Sequence, residues 1–389
     1  MRVLLIANTL PPTDLSGAGE QVLQLRAGLE EQGHVVRILG RGRHGVPGPK
    51  VLFPILAVLP ALRALRSFRP DVVQVHESDG GLVVAAARVA RRWLPRALWL
   101  ALQQVSYREE RRAVRPLVDT VTGRVLARPS FAEWRFRWLR TPVQTLLGRW
   151  SARLVDGVLA PSEATAGELR RDYGARTTAI VPNVTGAASP APGDPQSSGE
   201  AATQEGPYLL FVGRLRIRKG VEVLLHAVCE ALPSCPDLRL LIVGSGERSA
   251  SLQRMVRELQ LGDHVRLLGR RDAWGVAALL RRCRALIVPS TYEGMPLVIL
   301  EAMAAAAPVV ASAVSGIPEV VVDGETGWLV APERPSDLAE ALRQAWHDAE
   351  EARRRGRAGA GRLERLYRPA NAIAAWLGAV ESLAAEGAR

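Results

Sequence analysis

The sequence predicts an α/β protein of two domains, each built on a parallel sheet. Three observations carry this. Short apolar runs of strand type alternate with segments of helical spacing, and such alternation gives parallel sheets with right-handed crossovers. At 389 residues the chain is too long for one ordinary core and suits two domains of roughly 190. From Thr185 to Gly206 the composition shifts to Ala, Pro, Gly, Ser and Gln with almost no large apolar residue, which marks an interdomain linker.

The elements follow in order. Val3–Ala7 is a buried-strand pattern, Gly19–Gln32 a helix and Val35–Leu39 a strand. Ile55–Phe68 reads as a helix, Asp71–His76 as a strand, Leu82–Trp93 as a helix and Leu98–Leu102 as a strand. A long helical, arginine-rich insert is expected over about 108–153, within a basic window spanning 86–153. The strand Gly157–Ala160, the helix Ser162–Tyr173 and the strand Thr178–Val181 complete the first domain, 1–184. The second domain, 207–369, opens on the strand Tyr208–Val212 and runs through further strand–helix units to Val330. Trp346, Leu366, Trp376 and Leu377 mark the buried faces of the last helices, about 336–385.

Composition narrows the class. Hydrophobic residues make up 48% of the chain, enough for packed cores. No run reaches the roughly 18 apolar residues of a membrane span. The start, MRVLLIANTLPP, is a strand ending in a turn, with one basic residue and no small-residue cleavage site, so no secretory leader is expected. Cys229, Cys235 and Cys283 are odd in number and lack metal-ligand spacing, which predicts a reduced, cytoplasmic protein with incidental thiols.

The location of charge says more than its total. The formal net charge is +12, and residues 86–153 hold 15 Arg against Glu109, Glu110, Asp119 and Glu133. The same window carries Trp93, Trp99, Trp134, Trp138 and Trp150. Arginine interleaved with Trp and Leu predicts an amphipathic surface that lies on anionic lipid, at the inner face of the cell membrane. An arginine bias on a solvated face explains less, since the excess is confined to one window although the chain has only two lysines, Lys50 and Lys219. No nucleic-acid-binding motif accompanies the charge, so no nucleic-acid partner is expected.

The most informative stretch is IVPSTYEGMPLVILEAMAAAAPVVAS, Ile287–Ser312. A strand, Ala285–Val288, leads through a Gly-Met-Pro turn into a helix, Leu297–Ala307, with Pro296 near the first turn, where its missing N–H costs nothing. A strand end that feeds a helix N-terminus is where open α/β sheets bind phosphorylated ligands. The amides from Gly294, Met295, Pro296 and Leu297 to Val298 are placed to face an anion, with Glu293 and Glu301 on either side. Two acceptors beside an anion site suit a nucleotide sugar. By spacing alone, an ordinary strand–helix unit with two solvent-facing glutamates fits equally well.

Four motifs decide between these. The stretch resembles the E-x7-E signature of the retaining glycosyltransferases of family 4 (glycosyl transferases group 1). FVGRLRIRKG, Phe211–Gly220, resembles the family's strand–loop–helix element, LIVGSGE, Leu241–Glu247, its glycine turn, and SGIPEVVVDGETGWLV, Ser315–Val330, the segment after E-x7-E. The resemblance implies the GT-B fold: two Rossmann-like domains facing each other across a deep cleft, with a final helix, Ala370–Ala385, crossing back to the first domain. It implies a hexosyltransferase acting with retention, without a metal or other cofactor, on a UDP- or GDP-linked sugar. The acceptor expected is a lipid or polysaccharide intermediate of the cell envelope, bound by the first domain.

Residue by residue, the resemblance implies that Arg214 and Lys219, beside Gly213, clamp the donor diphosphate. A guanidinium fork and an ammonium point charge converging at a helix start suit that task. Glu301 corresponds to the ribose-binding acid, and Glu293 to the acid near the donor sugar and phosphates. Neither is assigned as a general base. Arg214, Lys219 and Glu293 are the candidate catalytic residues, and Gly244 lies in the glycine turn of the donor domain. SGAGEQVLQLRAGLEEQGHVV, Ser16–Val36, resembles the family's glycine-rich loop and first helix, with Gly17 or Gly19 approaching a phosphate.

Two departures stand out, and the first is that the family's usual pair of adjacent glycines is here Gly17, Ala18, Gly19. Many relatives carry a His after the strand matching Leu98–Leu102, but here LALQQVSY places Gln103 or Gln104 there, which hydrogen-bonds without carrying charge. His76, at the end of VVQVH, is the one nearby imidazole; a core role is favoured for it over a sugar contact. Glu77-Ser78-Asp79 has a metal-type spacing but lies in the wrong domain for a metal-diphosphate site. These departures leave a catalytically weak, nucleotide-binding relative as the alternative. A nicotinamide-dependent oxidoreductase would need G-x-G-x-x-G after the first strand, which residues 7–19 lack.

Overall fold

A computed structural model describes residues 1–10, 17–184 and 206–387. The chain divides into two compact units, one formed by residues 1–111, 138–184 and 368–389, the other by 112–137 and 185–367. The expected linker, 185–206, lies almost entirely outside the described residues.

The first unit is built on a parallel sheet of seven strands in the order β3-β2-β1-β4-β5-β8-β9. These are β1 (Arg2–Ala7), β2 (Val35–Arg41), β3 (Gly45–Val46), β4 (Val72–His76), β5 (Leu98–Leu102), β8 (Gly157–Ala160) and β9 (Thr178–Ile180). Their near-continuous apolar runs are what a sheet covered on both faces requires. One face packs under α2 (Phe53–Leu56), α3 (Val58–Phe68) and α4 (Gly81–Val89), around Leu4, Ile6, Phe53, Leu65 and Val73. The other packs under α1 (Gly17–Glu31) and α16 (Pro369–Gly387), around Leu5, Leu29, Leu100 and Trp376. The last helix therefore returns to the first domain as expected, and the Trp376 indole donates to Gln74 Oε1 at 2.5 Å in the core. The helix expected over Ile55–Phe68 is broken at Ala57, and β3 is too short for an alternation signal.

The second unit carries a six-stranded parallel sheet in the order β12-β11-β10-β13-β14-β15. Its strands are β10 (Leu209–Val212), β11 (Leu240–Val243), β12 (Val265–Gly269), β13 (Ala285–Val288), β14 (Val309–Ser312) and β15 (Gly327–Val330). Around them lie α9 (Val221–Ala231), α10 (Ser249–Glu258), α11 (Ala273–Leu280), α12 (Leu297–Ala304), α13 (Ile317–Val320), α14 (Pro335–His347) and α15 (Ala349–Leu366). From β10 the chain turns to β11 on one side, then comes back to β13 on the other. Such a switch in strand order opens a crevice at the C-terminal ends of the two central strands.

The basic window departs from expectation. It is not one helical insert in the first domain. It holds α4's end, β5, α5 (Tyr107–Ala113), an antiparallel hairpin of β6 (Leu117–Val118) and β7 (Val125–Ala127), α6 (Phe131–Arg135) and α7 (Thr141–Leu154). Residues 112–137 belong to the second unit, because Val114, Leu117 and Ala127 bury their side chains in its core with Leu209, Phe211 and Ile217. Trp99 is a buried strand residue, whereas Trp93, Trp134, Trp138 and Trp150 are exposed.

Candidate functional site

The β10/β13 switch point assembles most of the residues singled out in the second domain. The loop after β10 carries Gly213 and Arg214, then a single turn, Ile217–Lys219, closed by Gly220 in the left-handed region at φ 67°. The loop after β13 carries Pro289 to Glu293 and feeds α12. The two loops are stitched together: Thr291 N donates to the Arg218 carbonyl at 2.8 Å, and Arg218 Nη1 donates to the Tyr292 carbonyl at 3.1 Å. Gly220 is required here twice over. A Cβ would sit 1.9 Å from the Pro289 carbonyl oxygen, in a backbone region that already favours glycine. Gly244, at φ 143°, likewise lets the turn after β11 close on Gly213, where a Cβ would lie 1.8 Å from that carbonyl oxygen.

Lys219 Nζ donates to Glu293 Oε1, which also accepts from Ser290 Oγ at 2.8 Å, while Arg218 Nη1 lies 3.6 Å from Glu293 Oε2. Glu293 is only 6% exposed. Burial pushes its carboxyl upward, but the charges of Lys219 and Arg218 and the bonds from Lys219 and Ser290 outweigh this and hold it below the usual carboxylate range. Glu293 is thus held in its ionised form between two cationic side chains. Sequence reasoning missed Arg218 and Ser290; the serine's place three residues before Glu293, just past a strand, was the available signal.

Downstream, Gly294, Met295 and Pro296 are buried, and Leu297 and Val298 open α12 half-buried. Pro296 offers no side-chain cap, and the positive end of the helix dipole lies at this turn. Glu301 is half-buried one turn further, and Arg214 is exposed. The second domain therefore brings together an ammonium, a guanidinium, a charged carboxylate and a helix N-terminus.

In the first domain, Gly17 opens α1 and Gly19 is buried in its first turn; residues 11–16, before them, lie outside the described residues. His76 is 7% exposed, its Nε2 lies 2.9 Å from Gln74 Nε2, and burial lowers it to about 3, so it is a neutral core residue. Gln104 and Asn183 exchange two side-chain amide bonds of 2.8 Å. Gln103 is fully buried, and among the described residues neither polar atom of its side chain has a partner.

Beside them lies a cluster of which the sequence showed only Glu77 and Asp79. Glu77 sits at the end of β4 with φ 59° and ψ −172°, a region nearly reserved for glycine. Its carboxyl accepts from Gln104 N and the Tyr107 hydroxyl, both at 3.3 Å. Burial raises it to about 8, with Asp79 and Glu110 adding and the two hydrogen bonds opposing. Asn8, at the end of β1, donates to Asp79 Oδ2 at 2.7 Å. The cluster thus occupies the first sheet's own switch point, between β1 and β4.

Two Rossmann-like α/β domains with parallel sheets, the second carrying this constellation, define a GT-B-type protein. Residues 194–362 match the family described as glycosyl transferases group 1, and residues 15–185 match Glycosyltransferase Family 4. The chain belongs to the family-4, group 1 glycosyltransferases. It is similar to a glycogen synthase of Mycobacterium tuberculosis, 29% identical over 404 residues that cover 93% of this chain and 90% of that protein. A D-inositol 3-phosphate glycosyltransferase of Actinosynnema mirum is 37% identical over 203 residues, 48% of each chain. Among solved structures, a sucrose-phosphate synthase from Thermosynechococcus elongatus superposes with a TM-score of 0.78 at 23% identity, covering 99% of this chain and 100% of that one. Anabaena HepE in complex with UDP and glucose gives 0.71 at 17% identity, covering 98% and 100%.

Proposed function

We propose that the protein transfers a hexose-type sugar, with retention, from a UDP- or GDP-linked donor to an envelope lipid or polysaccharide intermediate. The observation that carries this is the pairing of Lys219 with Glu293 beside the N-terminus of α12. A donor pyrophosphate laid there meets helix amides and cationic side chains, while Glu301 accepts from ribose hydroxyls. As the glycosidic bond breaks, negative charge grows on the leaving diphosphate, and Lys219, Arg214 and the amides stabilise it. The departing phosphate takes the acceptor's proton on the same face of the sugar, so no side chain need act as base. These cations make a metal unnecessary, and chelation is expected to leave the rate unchanged.

The test is donor hydrolysis or transfer by the purified protein. Lys219→Ala should lower turnover by roughly 10²–10³-fold, the scale of a lost charge-stabilising group. Glu301→Ala should raise the donor KM about tenfold. Unchanged rates in both would remove the site assignment. Nucleotide binding without turnover on any donor would instead mark a catalytically weak relative.

Membrane attachment is part of the proposal, and α7 supports it. Its buried face mixes Thr141, Gln144, Gly148 and Ser151 with Leu147 and Ala152, while Val143, Leu146 and Trp150 form an exposed stripe that Leu139 extends by one turn. A surface helix ordinarily turns such large apolar side chains inward. Outside 112–137, the basic window still holds nine arginines against Glu109 and Glu110. An apolar stripe within so basic a segment suits an anionic bilayer. Among the described residues no single helix is long and apolar enough to cross a membrane.

A further inference from the structure

The turn that presents Lys219 does not cap itself. Its first residue, Ile217, has a backbone N–H with no intrahelical partner, and the preceding Arg216 supplies no side-chain cap. The bond comes from 84 residues away: Glu133 Oε1 accepts from Ile217 N at 2.6 Å. Glu133 is 4% exposed and lies in the segment 112–137, which the chain threads into the second domain between two elements of the first.

The placement of that carboxylate is fixed from several sides. Its Oε2 closes a capping box with Ser130, accepting from Ser130 N at 2.8 Å and Ser130 Oγ at 3.0 Å. Arg248 Nη1 approaches it to 3.9 Å and donates to the Arg128 carbonyl at 2.9 Å, while Arg248 is itself paired with buried Glu222. The Arg216 guanidinium lies 5.6 Å from the centre of the Phe136 ring. Around this polar centre Val114, Leu117 and Ala127 pack with Leu215 and Ile217. The segment therefore holds the β10 loop by its backbone, two residues before Lys219.

We propose that residues 112–137 form a strap whose Glu133 is a positioning residue for donor binding, holding the Ile217–Lys219 turn so that Lys219 meets the donor diphosphate. The inference rests on the donor-site reading above. It assigns a role in the transfer reaction to a segment that lies within the first domain's sequence and touches neither reacting atom. Because the bond runs from a backbone N–H, only proline at 217 would remove its donor, and that would also restrict the backbone of the turn, so the bond is tested from the strap side.

The test measures binding of UDP, GDP and ADP by calorimetry, and donor KM and kcat, in wild type, Glu133→Ala, Glu133→Gln, Ser130→Ala and Lys219→Ala. Glu133→Ala should weaken nucleotide binding and raise donor KM roughly tenfold, the scale of a lost charge-assisted hydrogen bond, with acceptor KM unchanged. Glu133→Gln keeps an acceptor oxygen and should restore most of the loss. Ser130→Ala cuts the capping box but leaves the Ile217 bond, and should bind as wild type. Hydrogen exchange across 217–219 should speed up in Glu133→Ala alone among the strap variants. Wild-type affinity in Glu133→Ala while Lys219→Ala loses it overturns the strap's role. Equal weakening by Glu133→Ala, Glu133→Gln and Ser130→Ala also overturns it, since that marks general loosening. If Lys219→Ala is also unaffected, or no nucleotide binds wild type, the donor-site reading fails and this inference with it.

Discussion

Glu293 and Glu77 are both shielded carboxylates at strand ends, yet their surroundings drive them in opposite directions. Lys219, Arg218 and Ser290 hold Glu293 ionised. Glu77 faces Asp79, Glu110 and the Tyr107 hydroxyl, and is pushed up to about 8. Stability follows from the sign. A carboxyl near 4.5 in the unfolded chain and about 8 in the folded one keeps a proton on folding, so its contribution is full below 4.5, falls as pH rises and levels off above 8. Urea midpoints of wild type and Glu77→Gln should therefore diverge from pH 5 to 8, the variant gaining relative to wild type; parallel curves would contradict the assignment. His76 works in the other sense. Lowered from 6.5 to about 3, it supports the fold fully above pH 6.5 and loses that contribution as pH falls toward 3. The E-x7-E spacing and the placing of Arg214 and Lys219 in FVGRLRIRKG were legible because each sits on one local strand–turn–helix unit. Glu77's environment was not, because it is made by β1, β4 and α5 residues far apart in sequence.

At the scale of elements, the strands were readable where a buried run is bounded by turn residues. Leu98–Leu102, Gly157–Ala160 and Ala285–Val288 occupy the expected positions to the residue. The helix expected to reach Ala307 stops at Ala304, where Ala305 and the left-handed Ala306 turn the chain toward Pro308. In α7 the Arg and Trp residues were legible without their orientation, and tertiary packing decided which face is exposed. Replacing Leu146 with Asp should abolish sedimentation with anionic vesicles while leaving turnover on a soluble acceptor unchanged, and wild-type binding should weaken with salt. Binding indifferent to salt, lipid charge and the substitution would remove the membrane role. α16 depends on Trp376, fully buried and bonded to Gln74. Trp376→Ala should cost about 3–5 kcal/mol in urea unfolding; a loss below about 1 kcal/mol would mean the helix is not integral to the first domain's core.

Across the whole molecule, the chain passes between its two units four times: within α5, at Trp138, after Val184 and before Arg368. Two of these crossings were legible, one from the composition of the linker and one from the family's final helix. The two that bound 112–137 were not, since periodicity carries no information about which core a segment will enter. Val114, Leu117 and Ala127 are too few and too short-ranged for a sequence signal, yet they move the hairpin into the second domain's core. This reassigns part of the basic window: Arg115 pairs with Glu333 and Arg137 donates to the Val114 carbonyl, so these charges serve the strap. The most direct measurement is an experimental structure with an intact UDP- or GDP-sugar. The pyrophosphate should lie within hydrogen-bonding distance of Lys219 Nζ and the first amides of α12, with ribose hydroxyls on Glu301. A nucleotide bound away from the ends of β10 and β13 would contradict this.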